Sequence, residues 1–325
     1  MAVLNLVEAV TNALDVAMEK DANVVVFGED VGVEGGVFRA TKGLQKKYGE
    51  ARIFDSILAE SNIVGAGIGM AINGLKPVVE IQFSGFVFPA LNQIITHAAR
   101  MRNRTRGLYT VPIVIRMPSG GGVRALEHHS EMLEVLFAHT AGLKVVIPST
   151  PYDAKGLLLA AIDDPDPVIF LEPTRIYRAF KQEVPDEYYT IPIGKAKVLK
   201  EGTALTVVAW GAMVRETQKA IEILEKEGYS IELIDLRTIS PIDKDAIITS
   251  VQKTGRFAVV HEAATSFGPG AELITLVNEG AFLYLEAPPK RIASSDTIVP
   301  LPKGEHHYLP DVDYIVSELR TVLNF

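Results

Sequence analysis

The chain has 325 residues, 48% of them apolar and 22% charged, with a formal net charge of −8. That length leaves room for about two domains with real cores, and the acidity argues against wholesale binding to nucleic acid or to an anionic membrane. The absence of cysteine excludes disulfides, thiolate metal sites and a cysteine nucleophile, and fits a reducing compartment. The opening, MAVLNLVEAVTNALDVAMEKD, reads as an amphipathic helix carrying Glu8 and Asp15. It lacks the basic region and cleavage site of a signal peptide, and no apolar run approaches the roughly 18 residues of a membrane span. The expectation is a cytoplasmic chain. Asn23–Gly28 is a continuous apolar run of the buried parallel-strand kind. A glycine-rich loop, 28–36, and a short helix, Thr41–Tyr48, follow.

The next stretch reads as a short strand (Arg52–Asp55), a glycine-laced helix (Ser61–Asn73) and a strand (Pro77–Phe83). Glu60 stands where that helix begins, with Ser61 or Asn62 as its cap, and no basic residue occurs from Ile53 until Lys76. Desolvation beside such an apolar helix would favour a protonated carboxyl. An ordinary acid favoured by the helix dipole fits the same pattern. Gly65, Gly67, Gly69 and Gly74 cost up to about 1 kcal/mol each in helix propensity, so a close approach by another backbone, a partner helix or a ligand is expected there. A dinucleotide loop is rejected, because these glycines lie within a helix pattern rather than a strand-to-helix turn.

Phe86–Arg104 reads as one long helix, with Arg100, Arg102, Arg104 and Arg106 at its end, as a helix C-terminus or an anion site would have them. A strand, Pro112–Met117, leads into Ser119–Glu131, a loop with three glycines at one end and His128, His129 and Glu131 at the other. A histidine in such a loop is a natural acid or base; a solvated loop is the alternative, and adjacent histidines are a poor metal pair. Strands Leu143–Ile147 and Val168–Leu171 flank a helix, Asp153–Ile162. The run from Asp163 to Pro167 is either a Pro/Asp turn or a cation site of hard oxygen ligands. The proline-bearing segment 172–194 reads as a linker. Beyond it, strands Leu205–Trp210, Ser230–Asp235, Arg256–His261 and Lys290–Ser294 alternate with helices Val214–Lys226, Asp243–Gln252, Pro269–Asn278 and Asp313–Leu323. His261 reads as structural and His306–His307 as a loop pair. The alternation predicts α/β layers on mostly parallel sheets in two domains. No P-loop, G-x-S-x-G elbow or HExxH occurs.

VVVFGEDVGVEGGVFRATKGL, the IxxAE of Ile57–Glu60, GLKPVVEIQF, AGLKVVIPSTPYDAKGLLLAAI, DPVIFLEP, IDLRTISPID and KTGR occur in order along essentially the whole chain. Together they resemble the β subunit of the decarboxylating first component of 2-oxoacid dehydrogenase complexes. The resemblance implies a thiamin diphosphate pyrimidine-binding domain, 1–180, and a transketolase-like C-terminal domain, 181–325, joined at about 172–194. It also implies an α2β2 assembly, the cofactor lying between subunits. The α subunit would hold the diphosphate through magnesium, and this chain indeed lacks the GDG…Asn element that does so. Glu60 matches the glutamate that bonds the aminopyrimidine ring nitrogen, with Leu58, Gln82 and Phe86 as neighbouring cofactor contacts. His129 matches the histidine of reductive acylation of lipoamide. Ile113, Ala161, Ile162, Asp164 and Asp166 match a monovalent-cation site, potassium being expected. Glu131 and Asp166 depart from the family, which often has Gln or Asp at the first position and Asn at the second. Implied partners are the α subunit, the lipoyl and subunit-binding domains of a dihydrolipoamide acyltransferase core, and a small 2-oxoacid. FLEP, VVAWG and VHEA look closer to branched-chain members, so a branched donor is expected, with pyruvate weaker or comparable. The rivals are an acetoin dehydrogenase-type β subunit and a non-catalytic electron-transfer or nucleotide-binding subunit.

Overall fold

The computed structural model describes residues 1–325, and its first helix shows how local signals launch the fold. Asn5 accepts the Glu8 amide and the Glu8 carboxylate accepts the Asn5 amide, both at 2.9 Å. Such a capping box satisfies two orphan donors and stabilises a helix start by about 1 kcal/mol. Helix Leu6–Lys20 then buries Leu6, Val10, Ala13, Leu14 and Ala17, and packs on helix Pro151–Asp163.

The first sheet has seven strands in the spatial order Thr238–Ser240, Lys144–Val146, Val168–Pro173, Val114–Ser119, Lys76–Glu80, Val24–Gly28 and Ile53–Asp55. All neighbours are parallel except the outermost pair, Thr238–Ser240 on Lys144–Val146. The second sheet runs Lys290–Ser294, Phe257–Ala264, Leu205–Ala209 and Ile231–Asp235 in parallel, closed by antiparallel Lys197–Lys200. The fold is thus α/β with two mostly parallel sheets, as expected. Strands Val24–Gly28, Val114–Ser119 and Val168–Pro173 are buried at every position, which explains their near-continuous apolar sequence. Ile147 and Leu171 share one apolar cluster with Trp210 and Leu236, so the core is continuous from one sheet to the other. No helix is long and apolar enough to cross a membrane.

Several local expectations need correction. The single helix predicted over Phe86–Arg104 is a series of short turns: 3-10 at Ser84–Phe86 and Phe88–Ala90, a π-turn at Asn92–His97, 3-10 at Ala98–Arg100, and α only at Met101–Arg104. Pro89 cannot donate to a helical ladder, and the β-branched run Ile94-Ile95-Thr96 resists helical packing. The glycine-laced helix spans Glu60–Ile72 and is capped by Ala59 without any side-chain bond, so neither Ser61 nor Asn62 caps it. Within the linker, Gln182–Val184 pairs antiparallel with Ala2–Leu4. The strand that holds His261 runs on to Ala264, and His306 and His307 occupy a one-turn helix, Glu305–Tyr308, rather than a loop.

Gly67 is the sharpest correction. A Cβ there would meet Ile113 Cδ1 at 2.7 Å and Val79 Cγ1 at 3.1 Å, whereas one on Gly69 would meet nothing within 4 Å. Gly67 therefore lets the helix lie down on its own sheet, and only the Gly69 side is open for another surface.

Candidate functional site

Parallel strands place their carboxyl ends together, and that edge of an open α/β sheet is where ligands bind. Here it gathers Glu29 and Asp30 after Val24–Gly28, Ser56–Glu60 after Ile53–Asp55, Gln82–Phe86 after Lys76–Glu80, and the loop to Glu131 after Val114–Ser119. Beneath it the three central strands are riveted by Arg116. Its buried guanidinium donates to Glu172 at 2.6 and 3.0 Å and to Glu80 at 2.8 Å, and the Tyr177 hydroxyl donates to Glu172 at 2.5 Å. Burial pushes the Glu80 carboxyl up, with Arg116 opposing. Removing one partner from such a buried set costs about 3–5 kcal/mol.

At the rim, Glu60 opens its helix half-buried, and Ile57 and Leu58 beside it are 70% and 82% exposed. The expected desolvation of Glu60 is not supplied by this chain's own atoms. Its neighbour Glu29 is buried, and Glu29 Oε1 has no hydrogen-bond partner. Burial first, then the charges of Glu60 and Asp30, raise the Glu29 carboxyl. Gln82 donates to Asp30 at 3.1 Å, so Gln82, Asp30, Glu29 and Glu60 form one polar rim. Neither Glu29 nor Asp30 stands out in the sequence as a site residue. Their signal is an acidic pair directly after a wholly apolar strand, at the end where parallel sheets bind ligands.

Phe86 and His129 are brought together. The His129 ring meets Phe86 edge-on at 5.0 Å and Phe83 at 4.5 Å, and its Nδ1 is buried without a partner. His128 points to solvent, as adjacent residues on a short turn must. The loop is seated rather than loose: Ser84 Oγ donates to the Glu131 carbonyl at 2.6 Å, as does the Gly120 amide at 3.1 Å. Thr174 Oγ1 donates to the Gly120 carbonyl at 3.0 Å. Burial raises the Glu131 carboxyl.

The residues expected to hold a monovalent cation form a separate cluster at the other end of the strands. Lys144 Nζ donates to both oxygens of Asp164 at 2.6 Å, and Arg102 Nε to Asp166 at 2.6 Å. The Ile113 and Ala161 carbonyls each accept one backbone amide. Both carboxylates are thus neutralised by cations of this chain, and Arg102 accounts for one of the four arginines. No three His, Asp or Glu side chains are grouped to hold a metal ion.

The branched-chain-like words are buried and none is exposed at the rim. Phe170–Pro173 and Ala209–Gly211 are buried throughout, in or just after strands of the two sheets.

Two families match the chain: "Transketolase, pyrimidine binding domain" over residues 3–179 and "Transketolase, C-terminal domain" over residues 194–315. A protein of Acholeplasma laidlawii named pyruvate dehydrogenase E1 component subunit beta is 66% identical over 320 residues, 98% of each chain. Its namesake in Bacillus subtilis is 52% identical over 325 residues and all of both chains. Among solved structures, a split-gene transketolase described as an inactive β4 tetramer matches with a TM-score of 0.81 at 20% identity, over 99% of each chain. That last likeness shows the fold.

Proposed function

The chain belongs to the family of pyruvate dehydrogenase E1 component β subunits, and from that premise we propose that it is the pyrimidine-binding half of a 2-oxoacid dehydrogenase, active with an α subunit in an α2β2 assembly. One observation carries the reading. The rim presents a half-open Glu60, a buried Glu29 oxygen without a partner, and exposed Ile57 and Leu58. Such a set fits the flat, nitrogen-bearing end of thiamin diphosphate. It does not fit the diphosphate end, which needs a divalent ion and clustered donors. The diphosphate and its magnesium are therefore assigned to the α subunit. The first domain is taken as 1–180 and the second as 181–325, with the join within 172–194.

When bound, the cofactor supplies an electron sink for decarboxylation. This chain's part is to place protons and exclude water. Glu60 would hold a proton at the pyrimidine ring nitrogen, beside the buried Glu29 carboxyl. Leu58 and Phe86 would cover the ring's apolar faces, and Gln82, tied to Asp30, would line its edge. His129, fixed by Phe83 and Phe86 rather than by a bond to Nδ1, would donate a proton when an acyl group passes to a lipoyl domain. A potassium ion is proposed at Ile113, Ala161, Ile162, Asp164 and Asp166, where the side chains of the two aspartates are already paired with Lys144 and Arg102. A melting temperature insensitive to potassium, in a sodium-matched titration, would remove that ion.

Pyruvate is the proposed donor. The names of the full-length relatives support it, and the words that favoured a branched donor sit in buried strands. The test is to assemble the chain with its α subunit and assay pyruvate, branched 2-oxoacids and acetoin, reading CO2 release and acylation of a lipoyl domain. Pyruvate should give the highest kcat/KM. A preference for branched acids or acetoin would reverse the assignment of donor, and no decarboxylation of any 2-oxoacid would sink the reading itself.

A further inference from the structure

The loop that carries His129 is held from the other half of the chain. Glu262 projects from strand Phe257–Ala264 and accepts the Gly121 amide; Glu305, from the turn Glu305–Tyr308, accepts the Gly122 amide. Both glutamates are buried. The fit leaves no slack: a Cβ on Gly120 would meet Glu262 Oε1 at 2.7 Å, and one on Gly121 would meet Glu305 Oε1 at 2.6 Å. On the far side, a Cβ on Gly122 would meet the Arg175 side chain at 2.6 Å. The run of three glycines is thus explained by close approach of carboxylates and an arginine stem. It is not a flexible hinge.

A carboxyl group taken out of water needs hydrogen-bond donors, and a backbone amide that donates to its oxygen makes a directional bond. Two adjacent amides gripped by two carboxylates from different elements fix both the position and the rotation of the chain entering the loop. The other end is fixed at the Glu131 carbonyl, which accepts from Ser84 Oγ and from the Gly120 amide. His129 lies between these anchors, on the turn Glu127–His129.

We propose that Glu262 and Glu305 are positioning residues for acyl transfer: a clamp by which the C-terminal half sets the loop, and hence the imidazole of His129, against Phe83 and Phe86. The proposal rests on the reading of His129 as the proton donor to the lipoyl group, so its test has an arm that does not depend on that reading.

That arm is amide exchange across residues 119–131 in the chain assembled with its α subunit. In the wild type the Gly121 and Gly122 amides should exchange more slowly than the exposed Arg124 and Leu126 amides. Unprotected glycine amides would overturn the clamp before any variant is made. In Glu262→Ala and Glu305→Ala, exchange at Gly121 and Gly122 should quicken by about 10-fold or more. Glu262→Gln and Glu305→Gln keep an acceptor oxygen and should restore most of the protection. The second arm is kinetic. The alanine variants should lose about 10-fold in kcat/KM for lipoyl-domain acylation, against less than about 3-fold for decarboxylation read with an artificial acceptor. Exchange unchanged in the alanine variants, or equal loss of both activities with no rescue by glutamine, would overturn the proposal. Quickened exchange in an enzyme that acylates no lipoyl domain would keep the clamp and sink only the role of His129.

Discussion

Two carboxylate-rich regions of this chain, the rim around Glu60 and the seam around Glu262, are finished to different degrees. At the rim, Glu60 is half-buried, its apolar neighbours Ile57 and Leu58 face solvent, and Glu29 keeps one buried oxygen without a partner. In the seam, Glu134, Glu262 and Glu305 are all buried, and each accepts a bond from this chain, from Trp210 Nε1 at 3.3 Å, from Gly121 and from Gly122 respectively, while Glu134 Oε2 and Glu305 Oε2, like Glu29 Oε1, have no partner. The seam holds its own parts together, whereas the rim awaits contacts that the chain does not supply. Exposed apolar side chains beside a half-buried carboxylate are what the rim has and the seam lacks, and they mark the rim as the edge where a ligand or a second subunit belongs.

The largest expected effect sits at the rim. Glu60→Gln should lower turnover of the assembled enzyme by about 10²–10⁴-fold, the usual worth of a positioned acid or base. Its stability should stay within about 0.5 kcal/mol of wild type, as for other substitutions outside the core. Comparable losses of melting temperature and activity would erase the distinction between rim and seam.

The seam should speak through pH. Burial raises the Glu134 carboxyl from 4.5 to about 7, and Glu262 likewise to about 7. Between those values the folded chain keeps protons that the unfolded chain has released, so stability present in acid is lost as pH rises through about 7. For Glu134 the loss by pH 8 is on the order of 3 kcal/mol. Glu134→Gln, whose side-chain oxygen can still accept from Trp210, should flatten the fall in stability between pH 5 and 8. It should not abolish it, because Glu262 and the buried Asp235, also raised to about 7, retain theirs. Denaturant melts across that range check this; a slope unchanged in the variant would mean that Glu134 is not the titrating group.

Two glycines on one helix sharpen the contrast further. Gly67→Ala forces a methyl against Ile113 and should cost the isolated chain about 1–3 kcal/mol by overpacking. Gly69→Ala adds a methyl in open space and should stabilise the isolated chain by up to about 1 kcal/mol through helix propensity. If the Gly69 face meets the α subunit, the same variant should weaken assembly while raising the melting temperature. Equal effects of the two substitutions on the isolated chain would contradict the assignment of faces.

The α/β layering was legible because buried parallel strands such as Val24–Gly28 and Val168–Pro173 must be apolar throughout, and helices such as Leu6–Lys20 carry their own caps. What periodicity could not reveal was which glycine faces which side, since Gly65, Gly67 and Gly69 look alike in sequence and only the sheet beneath tells them apart. Phe86–Arg104 misled for a related reason. Its apolar spacing suits a helix, but Pro89 and the Ile94-Ile95-Thr96 run break it into turns that deliver Phe86 to His129. Glu60 and His129 stood out through local context and family resemblance. Glu262 and Glu305 did not, because their partners, Gly121 and Gly122, lie well over a hundred residues away in sequence, and no local pattern encodes so distant a contact.

The central claim is that this chain holds half of a cofactor site. It is tested most directly by calorimetric titration of thiamin diphosphate with magnesium into the chain alone and into the chain assembled with its α subunit. Tight, saturable binding should appear only in the assembled enzyme, and Glu60→Gln should weaken it there. Tight binding by the isolated chain, with decarboxylation of pyruvate, would contradict the account.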